Sequence, residues 1–153
     1  MLKVGEKAPD FVLKDADGKD VSLKSLLGDK SILLYFYHKD WSPVCTNQLD
    51  GFCRMESAFA QAGFRIVAVS ADHTFSHKAF REKLGAKYTM LTATKEILEK
   101  YDAYDGNFPK RAYFVLDRNG VIRFMHAMPN PGQSIPNEEL LKIVKDLKQK
   151  MGF

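Results

Sequence analysis

Two almost unbroken apolar runs, SILLYFY at 31–37 and FRIVAVS at 64–70, constrain this chain more than any other feature. A strand that alternates apolar and polar residues can leave one face in water, whereas an unbroken apolar strand needs cover on both faces. Between the runs, Leu49, Phe52, Cys53, Phe59 and Ala60 recur at helical spacing up to Gly63. Pro43 suits the first turn of that helix. Strand, helix and strand, with both strands apolar, form a βαβ unit with a parallel pair.

The flanking segments extend this unit into a mixed sheet with helices on both faces. FVLKDADGKDVSL alternates around Asp17-Gly18 and reads as an N-terminal hairpin. SHKAFREKLG reads as a helix with Ser76 as cap and Gly85 as stop, and KEILEKY as a shorter helix. AYFVLDRNGVIRFMH turns at Asn119-Gly120 and reads as a second hairpin. A last helix opens near Pro136 with Glu138 and Glu139 at its positive end. Leu140, Val144, Leu147 and Met151 form its apolar stripe. The 153 residues make one domain, 1–153, long enough to bury about two-thirds of the unfolded chain's surface.

The composition excludes several classes of function. The formal charge of +4 is spread along the chain and interleaved with acids, so no nucleic-acid partner is expected. No Gly-rich phosphate loop follows the first buried strand. No apolar run approaches the roughly 18 residues of a membrane span, and MLKVGEKAPDF holds no apolar leader core, so the expected compartment is the cytosol, with no membrane partner. Two cysteines in a reducing compartment more often serve chemistry or packing than a structural disulfide. His73, His77 and Asp72 lie together in sequence but lack a third ligand at metal spacing, so no metal is expected.

Cys45 stands where the first buried strand gives way to a helix, among Ser42, Pro43, Thr46 and Asn47. The first N–H groups of a helix are unpaired, and a thiol beside them is favoured as thiolate, the nucleophilic form. Ionisation alone does not make a fast enzyme, because a less basic thiolate attacks more slowly. Groups that stabilise charge in the transition state must supply the rest.

The residues around Cys45 resemble the active-site loop of the peroxiredoxins, the AhpC/TSA group of the thioredoxin superfamily. That loop reads P-x-x-x-T/S-x-x-C, and here the same spacing reads His38-x-x-x-Ser42-x-x-Cys45. VGEKAPDFVL is similar to the family's opening strand, VSADHTFSHKAF to its V-S-x-D…S-H-x-x-F segment, and KRAYFVLDRNGVI to the segment that carries its arginine. The chain looks most like the short, bacterioferritin-comigratory-protein-like, one-cysteine members.

The resemblance implies a thioredoxin-like α/β fold and reduction of hydrogen peroxide or alkyl hydroperoxides. It implies that Cys45 attacks the peroxide and becomes a sulfenic acid, that Ser42 hydrogen-bonds the thiolate and the peroxide, and that Arg111 favours the thiolate and holds the leaving oxygen. No haem, flavin or metal is expected, and the reductant is expected to be a thioredoxin-like protein or a small thiol. Family members occur as monomers or homodimers, and neither is selected here. In the thioredoxin pattern W-C-x-x-C the first cysteine does the attacking; here Trp41-Ser42-Pro43-Val44-Cys45 puts a serine there, which argues against a disulfide exchanger. The alternative function is a thioredoxin-fold redox sensor or thiol-binding module with little turnover.

Three positions depart from the family. His38 replaces the loop proline; it either fills the proline's volume and faces solvent or sits over the sulfur as donor, base or cation. Gln48 stands where many members carry glutamate. The family's resolving cysteine, five residues on in one branch, is Asp50 here. Cys53 lies eight residues from Cys45, about 12 Å along an intact helix, while a disulfide needs Cα atoms within roughly 7 Å. Cys53 either packs in the core, leaving a one-cysteine cycle, or resolves the oxidised Cys45 after the first helical turns unwind.

Overall fold

The computed structural model describes residues 2–106, 109–130 and 132–152. Its centre is a seven-stranded mixed sheet. In chain order the strands are β1 (Val12–Asp15), β2 (Asp20–Ser22), β3 (Ser31–Phe36), β4 (Phe64–Ser70), β5 (Thr89–Thr92), β6 (Ala112–Leu116) and β7 (Ile122–Ala127). Their spatial order is β2-β1-β5-β4-β3-β6-β7. The pairs β3/β4 and β4/β5 are parallel, and β1/β2, β1/β5, β3/β6 and β6/β7 are antiparallel. The helices are α1 (Leu23–Leu26), α2 (Pro43–Gln61), α3 (Thr74–Leu84), α4 (Lys95–Lys100) and α5 (Asn137–Met151).

The period of two along β3 sorts its residues between two cores. Ile32, Leu34 and Phe36 join one cluster with Leu23 and Leu26 of α1 and Ile97 and Leu98 of α4. Leu33, Tyr35 and Tyr37 join the other, with Leu49, Phe52 and Phe59 of α2, Phe80 of α3, and Leu140 and Val144 of α5. Every residue of β3 is buried, as a strand covered on both faces requires.

Both expected hairpins form. Asp15 shapes the first, its carboxylate accepting from the Asp17 and Lys19 N–H groups. Asp117 plays the same part in the second, accepting from Asn119 and Val121, with Gly120 at φ +82°. The structure differs from the sequence reading in four local details. The cap of α3 is His73, whose ring accepts from the Phe75 N–H, while the Ser76 hydroxyl turns inward to Asp40. Pro136 is the cap of α5 rather than its first turn. The opening strand is confined to Val12–Asp15, while the segment before it runs beside the second hairpin through a bridge from Lys7 to Val121 and backbone hydrogen bonds from Gly5 to Ile122 and from Ala8 to Gly120. The short strand β5 and the single-turn helix α1 carried too few periodic residues to read from sequence.

Candidate functional site

The site lies where β3 ends and α2 begins. Pro43 opens α2 with a φ already suited to a helix, and Ser42 is the extended cap residue before it. The Ser42 side chain makes no capping bond; its carbonyl accepts from the Thr46 N–H at 2.8 Å. Cys45 is therefore the third residue of α2. Its side chain turns under the helix into the second core cluster and is fully buried.

Arg111 reaches the sulfur from the neighbouring strand. It immediately precedes β6, whose register against β3 pairs Phe36 with Ala112 and Tyr35 with Tyr113. That register sets Arg111 beside the end of β3, on the face that carries Tyr35 and Tyr37. Arg111 is only 2 % exposed, and described residues hold its guanidinium on three sides. Nη2 lies 2.9 Å from Cys45 Sγ, Nε donates to the Tyr35 hydroxyl at 3.0 Å, and Nη1 donates to the Gln133 carbonyl at 3.1 Å. Burial disfavours the charge of Arg111, but the Tyr35 oxygen and the Cys45 sulfur outweigh it and raise the group above its ordinary value. The guanidinium is a permanent cation. Burial also pushes the Tyr35 phenol well up, against the pull of Arg111, so it is a neutral hydroxyl at physiological pH.

Gln48, one turn further along α2, ties the site to the segment before α5. Its Nε2 donates to the Ile135 carbonyl at 2.6 Å and to Asn137 Oδ1 at 3.0 Å, and its Oε1 accepts from the Tyr113 hydroxyl at 2.7 Å. The Asn137 amide donates back to the Gln48 carbonyl, and the Ile135 N–H donates to the Tyr113 oxygen. This lattice fixes the segment that presents the Gln133 carbonyl to Arg111. The sequence reading gave Gln48 little weight, and it missed Tyr35 and Tyr113. A signal was present: a tyrosine in a strand covered on both faces needs a partner for its hydroxyl.

The structure brings Cys45 and Arg111 together and leaves the other sequence candidates at the margin. Ser42 makes no bond to the sulfur, because it caps α2 while Cys45 points inward. His38 is half-buried, with Nδ1 3.5 Å from the Pro109 carbonyl. Cys53 is half-buried against the second cluster, its Sγ 3.9 Å from the Tyr88 hydroxyl, and burial raises its thiol above the ordinary value. Both cysteines are unpaired thiols, and α2 is continuous between them. Trp41, 52 % exposed, packs its ring on Phe80 at 4.8 Å. His77 is wholly buried and faces Asp40. Among the described residues no three His, Cys, Asp or Glu side chains gather to hold a metal. A cavity of about 230 Å³ opens beside Arg111, lined also by Asp105, Pro109, Lys110, Ala127, Met128 and Pro129.

Comparison with known proteins identifies the family and the fold. Residues 4–125 match the AhpC/TSA family. The chain is 39 % identical over 127 residues to a chloroplastic peroxiredoxin Q of Suaeda salsa, covering 80 % of this chain and 58 % of that protein. It is 36 % identical over 150 residues to the peroxiredoxin Q of Sedum lineare, covering 94 % and 78 %. A reduced 2-Cys peroxiredoxin of Plasmodium vivax superposes with a TM-score of 0.87 at 25 % identity, covering 99 % of this chain and all of that one. The peroxidoxin BcpB of Mycobacterium tuberculosis shares the fold at a TM-score of 0.83 and 22 % identity, covering 95 % and 98 %. With a thiol held under a buried arginine at the head of α2, and with most of its length matched, the chain belongs to the AhpC/TSA family.

Proposed function

We propose that this protein is a thiol-dependent peroxidase that reduces hydrogen peroxide or alkyl hydroperoxides through a sulfenic acid at Cys45. The observation that carries this reading is the 2.9 Å contact between Arg111 Nη2 and Cys45 Sγ in a buried pocket. The Cys45 thiolate gives an electron pair to one peroxide oxygen. The S–O bond forms as the O–O bond breaks, and the second oxygen leaves as hydroxide or alkoxide and takes a proton to become water or alcohol. The sulfur is oxidised and the peroxide reduced. Negative charge passes from sulfur to the leaving oxygen, and a guanidinium fixed beforehand by Tyr35 and the Gln133 carbonyl stabilises it along that path. The Ser42 hydroxyl supplies a further hydrogen bond once peroxide is present.

An external thiol, from a thioredoxin-like protein or a small molecule, completes the cycle. It displaces water from the sulfenic acid to form a mixed disulfide, and a second thiol then frees Cys45. Cys53 does not take part, because α2 is unbroken between the two cysteines and the Cys53 thiol is raised by burial. The named relatives carry a chloroplast designation that belongs to them. For this chain we favour the cytosol, where two unpaired thiols stay reduced.

Purified protein should consume peroxide with dithiothreitol as donor. Cys45→Ser should abolish the activity, and Arg111→Met should lower the rate constant for Cys45 oxidation about 10²–10³-fold. Turnover retained in Cys45→Ser would sink the assignment. After one equivalent of peroxide, mass spectrometry should find a single added oxygen in both wild type and Cys53→Ser; a loss of two hydrogens in wild type would show a two-cysteine cycle instead. The complete burial of the sulfur favours one other reading, a redox sensor that is oxidised but recycled slowly. Stopped-flow oxidation followed by thiol addition separates the two, since a peroxidase recovers free Cys45 on each cycle.

A further inference from the structure

A buried polar cluster outside the site centres on Asp40, in the loop between β3 and α2. Its side chain is fully buried and makes three contacts. Oδ1 accepts from the Tyr37 hydroxyl at 2.5 Å; Oδ2 accepts from the Ser76 hydroxyl at 2.8 Å and faces His77 Nδ1 at 2.9 Å. The Asp40 N–H donates to Asp72 Oδ2 at 2.7 Å, and that oxygen also accepts from Ser70 at 2.6 Å. His77 is itself buried, with Nδ1 3.3 Å from the Tyr37 hydroxyl and Nε2 3.5 Å from Ser70. The loop is thus fastened to the end of β4 and the start of α3.

This fastening acts on both halves of the Cys45–Arg111 pair. Along the chain, Asp40 precedes Trp41, a non-glycine residue held at φ +70°, then Ser42 and the helix that carries Cys45. A bulky side chain in the left-handed region is strained and persists only where its surroundings impose it. Across the sheet, Tyr37 stacks on Tyr35 with ring centres 5.5 Å apart and planes within 16°, and Tyr35 accepts from Arg111 Nε. One buried carboxylate therefore braces the loop that delivers the sulfur and the ring that orients the guanidinium.

We propose that Asp40, with His77 and Tyr37, is a positioning device for the Cys45–Arg111 pair: it holds the strained 38–42 loop closed and Tyr35 in register for peroxide attack. Asp40 touches neither sulfur nor substrate. The proposal rests on the peroxidase reading for its catalytic consequence, but its structural consequence is measurable without peroxide. A buried carboxylate deprived of one donor, or a donor deprived of it, leaves an unpaired polar group that is relieved most easily by opening the loop.

The chain's one tryptophan, Trp41, reports on the loop directly. In Asp40→Asn the amide N–H faces donors. Acrylamide quenching of Trp41 should rise about twofold or more, and the rate constant for Cys45 oxidation by hydrogen peroxide should fall about tenfold or more. Reduction of the sulfenic acid by dithiothreitol should speed up, because an open loop exposes the sulfur. A merely destabilised protein would slow both steps together in proportion to its unfolded fraction, and that result would overturn the proposal. So would a peroxide rate within twofold of wild type in a folded variant. His77→Asn, whose amide can stand where Nδ1 stands, should recover most of the rate lost in His77→Leu; equal loss in both is evidence against the device. If Asp40→Asn does not fold, Tyr37→Phe carries the same test with a single donor removed. Absence of peroxide reaction in wild type would remove the peroxidase reading alone, and Trp41 quenching with iodoacetamide alkylation of Cys45 would still decide the role of Asp40.

Discussion

At the scale of single residues, the site depends on polar groups that a buried strand would normally exclude. Tyr35 and Tyr113 sit in strands without exposed faces and Tyr37 directly follows β3, and each hydroxyl has a partner: Arg111, Gln48 and Asp40 in turn. Burial drives all three phenols above their ordinary value, so they stay neutral and act through hydrogen bonds. Tyr35→Phe removes the hydroxyl that accepts from Arg111 Nε. Such bonds to a charged group contribute about 1.5–3 kcal/mol. We expect the Cys45 oxidation rate to fall about tenfold with the fold retained, as measured by stopped flow and circular dichroism. The strand-to-helix junction pointed to Cys45, and the family resemblance of the segment around it pointed to Arg111. It was silent on the tyrosines, because an aromatic in an apolar run reads as core whatever its hydroxyl does.

Elements show the same division. The strands β3 and β4 followed from their unbroken apolar runs, and the helix α2 from its repeat at helical spacing. The cap of α3 did not, since Ser76 and His73 both suit a cap and only the packed neighbour Asp40 drew the Ser76 hydroxyl away. Gly51 illustrates how a packed neighbour overrides propensity within α2. Mid-helix glycine costs about 1 kcal/mol relative to alanine, so Gly51→Ala would stabilise an isolated helix. Here a Cβ would run into the Asn137 amide, which donates to the Gln48 carbonyl. Gly51→Ala should therefore lower stability by about 1–3 kcal/mol, the cost of leaving buried polar groups unpaired. Urea denaturation checks this, and a more stable variant would show that α5 can shift without cost.

For the whole molecule, a few side chains join parts far apart in sequence. Arg81 of α3 reaches Asp17 in the first turn, 2.9 and 3.2 Å from its two oxygens, and holds that carboxyl below the usual range. A lowered folded value stabilises the fold above the unfolded value, near 3.9, and that stabilisation is lost as pH falls through the folded value. The pair is exposed, so the effect is small. Arg81→Gln should lower stability slightly at neutral pH and leave it unchanged at the most acidic pH, so that the fall in stability below about pH 4 becomes shallower; an unaltered acid limb would show the tie contributes nothing. The sequence by itself determined the layered α/β architecture, the strand-to-helix junction and the thiol placed there, because hydrophobic period and turn chemistry act over a few neighbouring residues. Only the tertiary structure decided what surrounds that thiol. The register of β6 on β3 sets Arg111 beside the sulfur, the Gln48–Asn137 lattice fixes the segment that supplies the Gln133 carbonyl, and the Asp40 cluster closes the loop. Those contacts join residues up to 89 positions apart, and their pairing is fixed by sheet register and helix packing, which no local pattern encodes.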